Sequence, residues 1–154
     1  HMDADAALNM FVPPRERRGL VLIDSPFDRA REFERLVQSL KRAHARWDTG
    51  MFALWYPLMQ PGIMRRFERL LINSGVRKIL RAELALHSET WTLGMRGCGM
   101  LIVNPPWRLE QALRPLLQWL WQVLSPTREG GVRLDWLVHE MPAAAPRIRS
   151  RQRN

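Results

Sequence analysis

Apolar positions along this chain change period several times, and each change marks an element. GLVLID (19–24) is a short, β-branched run followed by a breaker, which predicts a buried parallel strand. Over 28–46, Phe33, Leu36, Val37 and Leu40 recur at helical spacing, with Arg, Lys and Glu on the opposite face. Asp48-Thr49-Gly50 turns the chain into MFALWY (51–56), a second buried strand that Pro57 should stop. Pro61-Gly62 opens a helix at 63–73, with Phe67, Leu70 and Leu71 inward and Gly75 just past its end. VRKILRAELAL (76–86) alternates like a strand exposed on one face. The Gly-rich GMRGCG (94–99) then leads into the strand MLIVN (100–104). A helix at 108–124, a loop at 125–131 and a last strand at 132–140 follow. Residues 3–12 form a short helical lead-in, ended by Pro13-Pro14.

The order β-α-β-α-β-β-α-β predicts an α/β fold, a mixed sheet with helices on both faces. Two strand-helix units imply parallel neighbours joined by right-handed crossovers. The third and fourth strands have no helix between them and should pair antiparallel. This is the back half of a doubly wound sheet with an antiparallel insertion; the half that usually binds a nucleotide is not in the sequence. His1-Met2 reads as a cloning scar, 3–140 as the folded half-domain, and 141–154 as a basic tail, frayed or used on RNA phosphates.

Composition narrows the class. Of 154 residues, 46% are hydrophobic and 25% charged, enough for a packed core and too apolar for disorder. The formal charge is +9, mostly from arginine, whose fork suits phosphate and stacks on bases. That points either to a polyanion partner or to a solvated basic surface. One cysteine, Cys98, forms no internal disulfide, and the four histidines lack metal-ligand spacing, so no metal is expected. No apolar run reaches the roughly 20 residues of a membrane span. A reducing, cytoplasmic setting follows.

Two strand ends carry candidate chemistry: Asp24-Ser25-Pro26-Phe27 and Asn104-Pro105-Pro106-Trp107. An exocyclic adenine amine is a poor nucleophile, because its lone pair is delocalised into the ring. A side-chain oxygen and a backbone carbonyl that accept its two N–H bonds favour a pyramidal nitrogen, and a flat ring stacks on the extruded base. Asp or Asn, a rigid Pro turn and an aromatic residue at a strand's C-terminal end supply all three. The second corner fits this recipe better locally. The first fits better by position, since Asn104 ends a strand after the antiparallel reversal and should point elsewhere.

RRGLVLIDSPFD, GMFALWYPL, GVRKILRAELAL and GMLIVNPPWRLEQ together resemble the bacterial methyltransferases that make N6-methyladenine in large-subunit ribosomal RNA, over residues 3–140 and only the C-terminal half of that family. The resemblance implies a partial Rossmann-like class I methyltransferase fold, S-adenosylmethionine as cofactor and ribosomal RNA as partner. It implies that Asp24 accepts a hydrogen bond from the adenine amine, that the Ser25 carbonyl accepts the other, and that Phe27 stacks on the base after Pro26. Asp3 falls where the family has an acid near the cofactor's adenosine. Ser25 and Phe27 depart from the family's proline and tyrosine, which should loosen the corner without disabling it. The family's Gly-rich cofactor turn lies before residue 3. Gly97, Gly99, Gly130 and Gly131 precede strands, so they should not face the cofactor edge, and the chain is expected to be inactive alone.

Other residues read more plainly. Trp55 and Tyr56 either line the base pocket or pack under a loop. Asp28, Glu32 and Glu34 read as a solvated helix face, and Arg15, Arg17 and Arg18 as solubilising charge at the opposite edge. His44 and His87 have no convergent partner. LLQWLWQVL (116–124) is apolar on more than one side, one face for this sheet and the other for the absent half or a second copy of the chain, and Pro115 can kink it. The exposed edge of the first strand and the apolar faces of an incomplete sheet predict a homodimer or an element swap. The alternatives to an enzyme half are a non-catalytic RNA-binding or interaction domain derived from such an enzyme, and a fragment with no activity of its own.

Overall fold

The computed structural model describes residues 4–16, 18–27, 31–125 and 127–140. Its elements in chain order are α1 (Ala4–Phe11), β1 (Leu20–Asp24), α2 (Glu32–Arg46), β2 (Met51–Leu58), α3 (Pro61–Asn73), β3 (Ile79–Ala85), β4 (Gly97–Val103), α4 (Leu109–Leu124) and β5 (Gly131–Val138). The tail at 141–154 lies outside the described residues.

The five strands form one sheet in the order β1-β2-β4-β3-β5. β1 and β2 pair parallel, and β4 is inserted antiparallel between β2 and β3. β5 pairs antiparallel with β3. Strands β1, β2 and β3 therefore run one way, and β4 and β5 the other. The C-terminal ends of the first three share an edge with the starts of the last two.

Side-chain alternation assigns the faces. Phe52, Leu54, Tyr56 and Leu58 of β2 are buried under α2 and α3, against Leu36, Leu40, Phe67 and Leu71. Val21 and Ile23 of β1 join that core. The opposite face is covered by α4 over β3 and β5, where Trp136 Nε1 donates to Glu110 at 2.8 Å. Leu20 and Leu22 of the edge strand point to this second face and stay exposed.

Three local readings need correction. Pro57 lies inside β2, opposite Cys98, and does not end it. β1 stops level with Trp55, so the missing Pro57 N–H faces a side with no strand and costs no ladder bond. β4 begins at Gly97, not at residue 100. β3 is covered on both faces, and its charges are internal. Arg81 is 2% exposed and donates to Asp135 at 2.8 and 2.7 Å and to Glu68 at 2.5 Å. Glu83 accepts a hydrogen bond of 2.6 Å from the Tyr56 hydroxyl. Burial, then the Glu83 charge, raises the Tyr56 phenol well above its ordinary value, so it stays a donor.

Gly99 lies between Tyr56 and Glu83 in the same row of the sheet. The Tyr56 ring lies over it, and a Cβ at Gly99 would stand 2.3 Å from Tyr56 Cζ. Gly99→Ala should therefore lower stability by about 1–3 kcal/mol in urea unfolding. Gly62→Ala, with nothing within 4 Å of its Cβ, should leave it unchanged or slightly higher. The Arg81 hydrogen bond, against burial, holds the Asp135 carboxyl below its ordinary range. A lowered folded value stabilises above the unfolded value and loses that stabilisation as pH falls through the folded one. The stability gap between wild type and Asp135→Asn should stay flat from neutral pH down and close below about pH 4, where an ordinary Asp titrates.

Candidate active site

Asp24 ends β1 at the edge shared with the C-terminal end of β2. Its side chain is exposed, lies on the same sheet face as Leu20 and Leu22, and is level with Trp55. No hydrogen bond or ion pair holds its carboxylate among the described residues. The next residue is fixed: the Ser25 hydroxyl donates to Glu32, the first residue of α2. Pro26 follows, and Phe27 takes a left-handed conformation at φ 52°, which a bulky residue keeps only where its surroundings hold it. The Phe27 ring packs on Phe33 of α2 at 4.9 Å and meets Trp55 nearly edge-on at 6.0 Å. Phe33 in turn packs on Phe67 of α3 at 4.7 Å. An aromatic ladder thus ties the turn to both helices.

A groove of about 640 Å³ runs from this corner along the open edge of β1, between α1 and α2. Leu8 and Phe11 form one wall, Leu36 and Ser39 the other, and Trp47 lies at its floor. Glu32 and Arg35 line it, so Glu32 is not a freely solvated charge. Glu34 pairs with Arg66 at 2.8 Å. Arg18 also lines the groove, at the end away from Asp24, rather than standing apart as surface charge. Asp3, Arg17 and Asp28 lie outside the described residues.

The resemblance implies a carboxylate for the cofactor's ribose and a Gly-rich turn after a strand. The described residues do not assemble that set. Gly97, Gly99 and Gly131 do reach the Asp24 edge, contrary to the reading from sequence, because their strands run antiparallel and start where the others end. Yet Gly97 and Gly99, with Gly130, serve packing. Gly97 and Gly130 each leave room for a backbone carbonyl of β3, and Gly99 for the Tyr56 ring.

Asn104 sits at the opposite edge, where its amide donates to the carbonyls of Asp48 and Gly50 at 2.7 and 2.8 Å. With φ 51° it takes a left-handed turn that Asn tolerates. This corner fastens two strand ends, and the exposed Trp107 beyond it carries Arg108 at 3.9 Å over its ring. Tyr56 belongs to the core, whereas Trp55 is half-buried beside Phe27. His44 is partly buried, which lowers its pKa, and His87 stacks on Trp91 at 3.9 Å. Among the described residues no three His, Cys, Asp or Glu side chains gather to hold a metal. No described helix is long and apolar enough to cross a membrane. The Ser25–Glu32 bond carried no sequence signal, because a seven-residue gap across a turn has no fixed geometry.

The family described as "Ribosomal RNA large subunit methyltransferase D, RlmJ" matches residues 2–138. "Ribosomal RNA large subunit methyltransferase J" of Escherichia coli is 37% identical over 138 residues, 90% of this chain and 49% of that protein. The protein of the same name from Haemophilus influenzae is 36% identical, over 84% of this chain and 46% of its own length. A crystal structure of a Legionella pneumophila protein superposes with a TM-score of 0.80 at 29% identity, covering 88% of this chain and 50% of that one. The chain spans about half the length of the curated relatives it matches. With the family match running over nearly all its strands and helices, the chain belongs to the RlmJ family of ribosomal RNA large subunit methyltransferases.

Proposed function

We propose that this chain is the base-holding half of an S-adenosylmethionine-dependent methyltransferase that makes N6-methyladenine in large-subunit ribosomal RNA. The observation that carries the reading is the exposed Asp24 carboxylate at the C-terminal end of β1, followed by a turn fastened to α2. Open α/β sheets bind ligands at that edge. The fold, the basic charge and the names of the relatives agree with it.

The chain's own residues perform a binding and orienting role. Asp24 accepts one N–H of the extruded adenine amine, and the Ser25 carbonyl accepts the other. Both bonds favour a pyramidal nitrogen with its lone pair turned away from the ring. The Phe27 ring, braced by Phe33, and the half-buried Trp55 border the base. S-adenosylmethionine, when bound, supplies an electrophilic methyl group. The residues that hold it are assigned to the remaining half of such a protein.

The exposed apolar surfaces suit that junction. The flank of α4 that carries Glu110 and Trp121 bonds toward β5. Leu116, Trp119 and Val123 share another flank of this helix and are 46, 57 and 61% exposed. Leu20 and Leu22 are likewise exposed, at the β1 edge of the sheet.

In a complete family protein carrying this sequence, Asp24→Ala should lower the methylation rate by at least roughly 10²-fold, with RNA affinity held within about threefold. Asn104→Ala should lower the unfolding midpoint and change the rate by less than about threefold, since it fastens the far edge. The reverse ranking would refute the choice of corner. Calorimetry of S-adenosylmethionine with this chain alone should give little heat, and firm binding would contradict the division of labour.

A further inference from the structure

The connection between β3 and β4, Leu86–Arg96, has no part in the reading above, yet it rises from the same edge as Asp24. Its two roots, Ala85 and Gly97, face each other in the sheet, and Gly97 also faces Leu58 at the end of β2. β4 lies two strands from β1, so the root of the loop is roughly 10 Å across the sheet from the Asp24 strand. That is too far to touch a base held at Asp24 and near enough to meet a neighbouring nucleotide.

The loop is built rather than slack. The Leu86 and His87 N–H groups both donate to the Arg96 carbonyl, at 2.9 and 3.1 Å, and the Arg96 N–H donates to Leu58 at 2.9 Å. A turn closes from Trp91 N–H to the Ser88 carbonyl at 3.1 Å, and the Ser88 and Thr90 hydroxyls are bonded at 2.8 Å. This frame holds the His87 and Trp91 rings parallel, 3.9 Å apart at 8°. Beyond the pair, Leu93 is 81% and Met95 51% exposed. Two donors, Trp91 Nε1 and Arg96 Nε, are buried with no hydrogen-bond partner among the described residues.

We propose that Leu86–Arg96 is a second RNA contact, which holds an unpaired nucleotide flanking the target adenine. Its base extends the His87–Trp91 stack against Leu93 and Met95, and its phosphate meets Arg96. Stacked rings beside a cation accept any base, and they reach bases only where the strand is unpaired. The whole chain's net charge of +9 favours a polyanion partner, with Glu89 offsetting Arg96 in the loop itself. The proposal rests on the reading of the chain as part of an RNA methyltransferase.

Fluorescence anisotropy of this chain with a short dye-labelled single-stranded RNA, and with the same strand fully paired, tests it. Wild type should prefer the unpaired strand. Trp91→Ala should weaken that binding by roughly 5- to 100-fold, while Trp91→Phe should stay within about threefold of wild type. Arg96→Gln should reduce the slope of log affinity against log salt by about one unit. Trp107→Ala, exposed at the far edge, should bind as wild type does, and circular dichroism should match for all variants. Equal losses in Trp91→Ala and Trp107→Ala, or equal binding of paired and unpaired RNA, would overturn the proposal. So would wild-type affinity in Trp91→Ala, which would leave the tip to a protein contact. The two readings fail separately: loss of methylation in Asp24→Ala with no effect of Trp91→Ala sinks only the loop. A wild-type chain that binds no RNA sinks the loop together with the RNA half of the proposed function.

Discussion

Tyr56 lies across Gly99 and donates its hydroxyl hydrogen to Glu83, so one side chain spans three strands, β2, β4 and β3. That crossing depends on a strand with no side chain at the middle position and on an acceptor directly beyond it. Both come from the insertion of β4 between β2 and β3. The pairing of β5 with β3 places Arg81 opposite Asp135, where the buried guanidinium satisfies that carboxylate and Glu68 of α3. Buried charge is tolerated here because every member of the group has a partner. The polar rows thus fix the register of β3, β4 and β5, and the apolar rows under α2 and α3 then pack on strands already aligned.

Strand direction then decides chemistry. Because β4 runs against β1 and β2, its end carries Asn104 to the edge away from Asp24, and its beginning carries the β3–β4 connection to the edge that holds Asp24. Two corners of similar sequence therefore have unlike duties. Asn104 spends its amide on two backbone carbonyls and closes the lower rim of the sheet. Among the described residues Asp24 has no hydrogen-bond or ion-pair partner, while its neighbours Ser25 and Phe27 are tied down.

Much of this was legible in the sequence. The strand at 19–24, the helix carrying Leu36 and Leu40, and the antiparallel pairing of the third and fourth strands follow from periodicity and from the lack of a helix between them. The opposite placement of Asn104 follows from that pairing alone. What escaped depends on contacts between distant segments. Arg81 and Glu83 imitate a solvated face, because alternation cannot tell a charge in water from a charge with a buried partner. Pro57 reads as a stop unless the length of the neighbouring strand is known. Gly97 and Gly99 read as loop, since the rings and carbonyls they make room for lie on other strands.

The groove beside β1 has a further consequence. The turn at Asp24 is secured by Glu32, Phe33 and Trp55, and among the described residues no hydrogen bond or ring contact holds it from across the open side of β1. Its shape is thus set before any strand adds to that side. A protein divided at this seam keeps the geometry of this turn in one piece, which suits the two pieces to rejoining by non-covalent complementation.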